Sequence, residues 1–198
     1  WAAPARPADA FDAKAAALAA LDAAGAPVDK LQIASDAPGW YHPGRSGSFR
    51  LGPNLLASFG EIHPRTLRAM ELRGPAAGFE VFLDAVPVPR SKDTGKARPL
   101  LRPSPFQPVV RDFAFVMDAD IPAEKALRAV RTADKDLVAG AEVFDVYAGD
   151  NLGAGKKSLA IAVTLQPVEA TLTDDRIEAV AKKIVAAVEK ATGGTLRG

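Results

Sequence analysis

The stretch FDVYAGDNLGAGKKSLAIAVTL, residues 144–165, decides the fold of the second half of the chain. One strand pattern runs into a glycine-containing loop, and a second strand pattern, KSLAIAVTL, leaves it. Successive side chains of a strand point to opposite faces. In the second strand small residues alternate with four bulky ones, Leu159, Ile161, Val163 and Leu165. The bulky face must be covered by other elements, and the small-residue face is left open.

The neighbouring segments predict four further elements around this hairpin. A strand is expected over 111–118, and a helix begins at Pro122 with Asp120 as its cap. Thr173 is expected to cap a second, longer helix, which ends at a glycine pair. The last residues, TLRG, form a short strand. The order βαββαβ predicts the ferredoxin-like plan, an α+β fold with four strands and both helices on one face.

Alternation along the first strand of the hairpin predicts a polar patch on the open face. Phe144 and Val146 are the natural core pair, so Asp145 and Tyr147 point the other way, towards the face that holds Ser158. An acceptor, an aromatic ring and a hydroxyl are what recognition of an unpaired base requires. The alternative stays open that the tyrosine only ends a strand and that the aspartate satisfies a loop amide.

The charge distribution limits how this patch could hold a nucleic acid. The chain carries a net charge of +1, and residues 106–198 hold twelve basic and fourteen acidic side chains. The basic footprint usual for RNA-binding domains is therefore absent. Any contact with phosphate must be local, and the candidates are Lys156, Lys157 and Arg197.

Composition excludes several other classes of function. The chain has no cysteine and two histidines, which excludes disulfides and thiolate chemistry and argues against a zinc site. No nucleophile, acid or base forms a catalytic set, and His63, which precedes Pro64, is expected to start a helix. An aromatic-rich RNA-recognition strand is missing as well. A small-molecule regulatory domain of the same topology remains open.

The rest of the chain predicts a second unit and a tether. Residues 1–88 contain an alanine-rich helix from Phe11 to Ala24 and further strands and helices, and residues 89–105 are rich in proline, lysine and arginine and predict an extended linker. No apolar run is long enough to span a membrane. The first residue, Trp1, suggests a fragment of a longer chain, and a soluble, reducing compartment, the cytoplasm, fits this composition.

The segments PVVRDFAFVMD, FDVYAG, LGAGKKSLA and TLTDDRIEAVAKKIV give residues 106–198 a family resemblance. They resemble the ferredoxin-fold anticodon-binding domain of bacterial phenylalanine–tRNA ligase beta subunits. Residues 1–88, through FDAK, YHPGRSG and FGEIHPRTL, resemble the last part of the class II synthetase-like module of the same subunits, a mixed α/β module that is catalytically inactive.

The resemblance implies a function and a set of contacts. It places contacts to the first anticodon base at Asp145, Tyr147 and Ser158, and a further anticodon contact at Arg197. It implies phenylalanine tRNA and the alpha subunit of a heterotetramer as partners, with neither DNA nor a membrane. ATP and magnesium are implied for the complete enzyme at a site in the alpha subunit, so this chain is expected to hold no cofactor and no catalytic residue. The alternative is a regulatory or scaffolding fragment that binds a small ligand.

Overall fold

The computed structural model describes residues 6–88 and 103–197. The chain divides into two compact units, residues 1–96 and 97–198. Most of the predicted linker, residues 89–102, lies outside the described residues. No helix in the described part of the chain combines the length and apolar content needed to cross a membrane.

The first unit is a four-stranded antiparallel sheet with a helix packed on it. The sheet order is β1-β2-β3-β4. Its elements are α1 (Ala10–Ala23), β1 (Gln32–Ala34), β2 (Tyr41–Leu51), β3 (Asn54–Ile62), α2 (Pro64–Ala69) and β4 (Ala77–Val81).

The alanine-rich helix α1 begins and ends at defined caps. Asp9 and Asp12 form a reciprocal capping box at its start, and Gly25, at φ 83°, follows its end. The helix buries Ala17 and Leu21 against the sheet. His63 starts α2 as predicted, because its Nδ1 accepts a hydrogen bond from the Arg65 amide at 3.0 Å.

The second unit has the predicted βαββαβ order and the α+β fold class is confirmed. Its sheet order is β6-β7-β5-β8. Its elements are β5 (Val109–Asp118), α3 (Ala123–Ala133), β6 (Val138–Tyr147), β7 (Lys156–Leu165), α4 (Asp174–Thr192) and β8 (Thr195–Leu196). The side chains of α3 and α4 join one continuous core with the bulky face of the sheet.

Local signals set the ends of these helices, with one exception. Thr173 accepts a hydrogen bond from the Arg176 amide at 3.4 Å, and Gly193, at φ 68°, ends α4. The prediction that Asp120 caps α3 is wrong. The residue before that helix is Pro122, whose side chain has no polar atom, and no side-chain cap is formed. The fixed φ of proline is nevertheless suited to a helix start.

An ion pair joins the end of α3 to the middle of α4. The Lys183 ammonium donates to Oδ2 of Asp134 at 2.8 Å, and Asp134 is buried. This hydrogen bond lowers the pKa of Asp134 below its ordinary value, although burial of the carboxyl opposes the shift. The native state therefore favours the carboxylate more strongly than the unfolded chain does.

We expect this pair to make the second unit sensitive to acid. Because the pKa of Asp134 is lower in the native state, its stabilisation is complete above the ordinary carboxyl range of about pH 4 and is lost as the pH falls through the native value. Asp134→Asn should therefore be less stable at neutral pH and lose less stability on acidification. Urea denaturation across pH checks this, with the exposed neighbour Asp136→Asn as control. Identical pH profiles for wild type and Asp134→Asn would contradict it.

Candidate nucleic-acid interface

One face of the second sheet has neither helix on it. Leu159 and Ile161 of β7 are fully buried on the helix side. The residues between them and beside them, which the pattern predicts on the open side, are small: Ser158, Ala160, Ala162 and Thr164. A strip of small side chains leaves the backbone of the sheet within reach of a flat ligand.

A single row of residues crosses all four strands on this face. Asp145 of β6 lies opposite Ala160, and Ala160 lies opposite Ala114 of β5. The Arg197 amide, next to β8, donates to the Ala114 carbonyl at 2.7 Å. Directly opposite residues of antiparallel strands share a face. Three strand spacings of about 4.8 Å separate Asp145 from Arg197, so their Cα atoms lie about 14 Å apart.

A second row lies next to the first. Tyr147 is opposite Ser158, and Ser158 is opposite Val116. The structure therefore brings Asp145, Tyr147 and Ser158 together, as the alternation predicts. Tyr147 is 42% exposed whereas Ser158 is 4% exposed. The ring, and not the serine hydroxyl, is the accessible part of this row.

The Tyr147 ring is tied to the loop that follows its strand. Its hydroxyl donates to Oδ1 of Asn151 at 2.9 Å. Asn151 lies in a short 3-10 turn, residues Asp150–Leu152, between β6 and β7. This contact could not be predicted from the sequence, because only the folded loop brings Asn151 to the ring.

The prediction that Phe144 and Val146 form the core pair of β6 is wrong. Phe144 and Val146 are each 57% exposed and belong to no buried cluster. Val143, opposite Ile161, takes the core position, and the next matched pair is Asp145 with Ala160. Phe144 is thus the extra residue of a β-bulge. Val146 lies opposite the buried Leu159, but the helices do not cover β6 beyond Val143.

The two lysines lie on different faces. Lys156 is opposite Asp118 and its ammonium donates to that carboxylate at 2.6 Å, with both side chains largely exposed. Lys157 is opposite the buried Met117, and its ammonium donates to the carbonyls of Ala119 at 2.9 Å and Ile121 at 2.5 Å. The position of Lys157 does not favour the predicted phosphate contact, since it lies away from the open face.

Acidic residues occupy the other end of the open face. Asp112 and Glu142 both lie opposite Ala162, and both are exposed. This row is separated from Lys156 by the rows of Ala160 and Ser158. A phosphate backbone would be repelled at the acidic end.

Comparison with known proteins assigns both units to families. Residues 104–197 match the ferredoxin-fold anticodon binding domain, and residues 1–83 match the phenylalanyl tRNA synthetase beta chain CLM domain. The fold and the open face therefore belong to a tRNA synthetase module with an anticodon-binding domain. The two matches cover different halves of the chain, and both agree with the resemblance in the sequence to phenylalanine–tRNA ligase beta subunits.

Individual relatives agree along the whole chain. The phenylalanine–tRNA ligase beta subunit of Paramagnetospirillum magneticum is 58% identical over 198 residues, that of Rhodospirillum rubrum is 55% identical over 197, and that of Mesorhizobium japonicum is 54% identical over 199. Each alignment covers 100% of this chain and 24–25% of the relative. The chain thus spans about a quarter of the length of the curated relatives that it matches.

The bulge in β6 predicts unequal effects of the same substitution at two valines. Val143→Ala should lower the free energy of unfolding by about 1–2 kcal/mol, because Val143 packs against the core. Val146→Ala, and likewise Phe144→Ala, should change it by less than about 1 kcal/mol, because both side chains are exposed. Urea denaturation checks this. A larger loss for Val146→Ala than for Val143→Ala would contradict the bulge.

The two lysines provide a second matched pair. Lys157→Met should lower the free energy of unfolding by about 1–3 kcal/mol, because two carbonyls lose a charged donor. Lys156→Met should cost less than about 1 kcal/mol, because its ion pair is solvent-exposed. Thermal or urea melts of the two variants check this, and equal losses would count against a structural role for Lys157.

Proposed function

We propose that the open face of the second sheet binds the anticodon of phenylalanine tRNA, and that the chain thereby supports aminoacylation of that tRNA. The observation that carries the proposal is the pair of rows across the uncovered face, which place Tyr147, Asp145 and Arg197 beside a strip of small residues. The family match of residues 104–197 supports the same ligand class.

Each side chain has a role that its chemistry suits. The Tyr147 ring stacks on an unpaired base, an interaction typically worth about 1–3 kcal/mol. The Asp145 carboxylate accepts hydrogen bonds from the N–H groups of a base edge. Ser158 is buried at the floor of the patch, so it shapes this surface and is not its accessible hydrogen-bonding group.

Arg197 acts on a different nucleotide. It lies three strands away from Asp145, about 14 Å by strand spacing, which is too far for both to hold one base. Its guanidinium suits a neighbouring base or a phosphate. Lys156, on the same face but two rows away from Arg197, supplies a second phosphate contact if its ion pair with Asp118 opens.

The chemistry of aminoacylation takes place elsewhere in this proposal. The chain is a portion of a beta subunit that assembles with an alpha subunit in a cytoplasmic heterotetramer, and the alpha subunit binds phenylalanine, ATP and magnesium. Within residues 6–88 and 103–197, no group of three or more His, Cys, Asp or Glu side chains is arranged to hold a metal ion.

Titration with phenylalanine tRNA tests the proposal. Tyr147→Ala should weaken binding by about 1–3 kcal/mol through lost stacking, and Tyr147→Phe by at most about 1 kcal/mol, because it loses only a hydroxyl. Both variants should melt like wild type, since the ring is exposed. Lys156→Met should instead weaken all tRNAs alike and reduce the salt dependence of binding.

The matched ligand is a phenylalanine tRNA with a substituted anticodon. Wild type should bind it more weakly, and Tyr147→Ala should discriminate less between the two RNAs. Equal binding of both RNAs by wild type, or unchanged binding by Tyr147→Ala, would contradict anticodon recognition. Tight binding of a free nucleotide or amino acid at the sheet, with no affinity for the tRNA, would favour the small-ligand alternative.

A further inference from the structure

Gly149 lies directly against the ring of Tyr147. A Cβ atom built on Gly149 would collide with the phenol, closest to its Oη and Cζ and 2.9 Å from its Cε1. Gly153 and Gly155, in the same loop, have φ of 87° and 72° and are glycines for conformational reasons. Gly149 does not have a left-handed φ. The reason for a glycine here is therefore space for the Tyr147 ring.

The collision is with the face of the ring and not with its edge. If the added Cβ lay in the plane of the ring, it would be about as close to one of the two carbons bonded to Cζ as it is to Oη and Cζ. It is instead clearly farther from Cε1, the nearer of those two carbons, so it lies out of the ring plane. Gly149 thus approaches the Tyr147 phenol from one face, at its hydroxyl end.

A second contact fixes the end of the ring. The Tyr147 hydroxyl donates to Asn151 Oδ1 at 2.9 Å, on the same loop. The ring is therefore held at its strand, at one face and at its hydroxyl. A side chain that is fixed before binding loses less conformational entropy when a ligand arrives.

We infer that Gly149 and Asn151 are positioning residues that make Tyr147 a one-sided stacking platform, with a base received only on the face turned away from Gly149. The inference rests on the proposed function, because it assumes that Tyr147 stacks on a base. It adds which face is used and which residues hold the ring. A side chain at position 149 must displace the Tyr147 ring from its position against Gly149, and the ring then no longer stacks on the base although it is present.

A double-mutant cycle on the 198-residue chain tests this inference. Gly149→Ala should weaken binding of a phenylalanine tRNA transcript at least about fivefold, which corresponds to the lower end of a stacking contribution. In a Tyr147→Ala background the same change should have no further effect, because no ring is left to displace. Gly140→Ala is the matched control. Gly140 lies on the same strand as Tyr147, and an added Cβ would meet only Thr164, at 3.8 Å or more.

A second double-mutant cycle tests the hydrogen bond between Tyr147 and Asn151. Asn151→Ala should weaken tRNA binding in the wild-type background and have no effect in Tyr147→Phe, which lacks the hydroxyl that donates to Asn151. An equal loss in both backgrounds would show that Asn151 touches the RNA or supports the loop, and would overturn its positioning role.

The outcomes separate the inference from the proposed function. If Tyr147→Ala binds tRNA normally, the proposed stacking fails. If Tyr147→Ala weakens binding but Gly149→Ala does not, only the inference fails. An equal loss from Gly149→Ala in both backgrounds also overturns it, because the glycine then acts without the ring.

A spectroscopic measurement without RNA is independent of binding and of the stability of the variants. The α-proton shifts of Gly149 should differ between the wild-type chain and Tyr147→Ala, because the ring current of Tyr147 acts on a glycine that lies against the phenol. Identical shifts in the two proteins would show that Gly149 and the ring are not in contact and would overturn the inference.

Discussion

The candidate interface depends on one constraint, that both helices of the second unit pack on the same side of its sheet. The buried side of β7 carries Leu159, Ile161 and Val163, and α3 and α4 cover it with side chains such as Val130 and Ile184. Burial of this apolar surface is the main favourable term for the unit. Because the bulky residues all lie on one side, the other side is left with small residues and a flat, accessible backbone.

The bulge at Phe144 lets one strand serve both faces. Ala141 and Val143 lie on the core side of β6, whereas Asp145 and Tyr147 lie on the open side, although all four positions are odd. Strict alternation cannot produce this arrangement. The one extra residue moves every following side chain of β6 to the opposite face. The polar residues of the interface and the core residues of the same strand are therefore compatible only because Phe144 is unpaired.

The sequence was enough to predict the order of elements and the open face, because both follow from periodicity and from caps such as Thr173 and Gly193. It placed Asp145 and Tyr147 beside Ser158 but assigned the core of β6 to Phe144 and Val146, because a bulge leaves no mark in a run of alternating residues. The hydrogen bonds of Lys157 and the contacts of the Tyr147 ring with Gly149 and Asn151 could not be predicted. Both depend on segments that only the folded loop and strand ends bring together.

The most direct test of the account is a map of the RNA contact on the isotope-labelled chain. Amide resonances followed during titration with phenylalanine tRNA should shift on the open face, around Asp145, Tyr147, Ala160 and Arg197. Those of α3 and α4, on the covered side, should stay in place. Shifts confined to the helices or to the first unit would show that the tRNA binds elsewhere and would contradict the central claim.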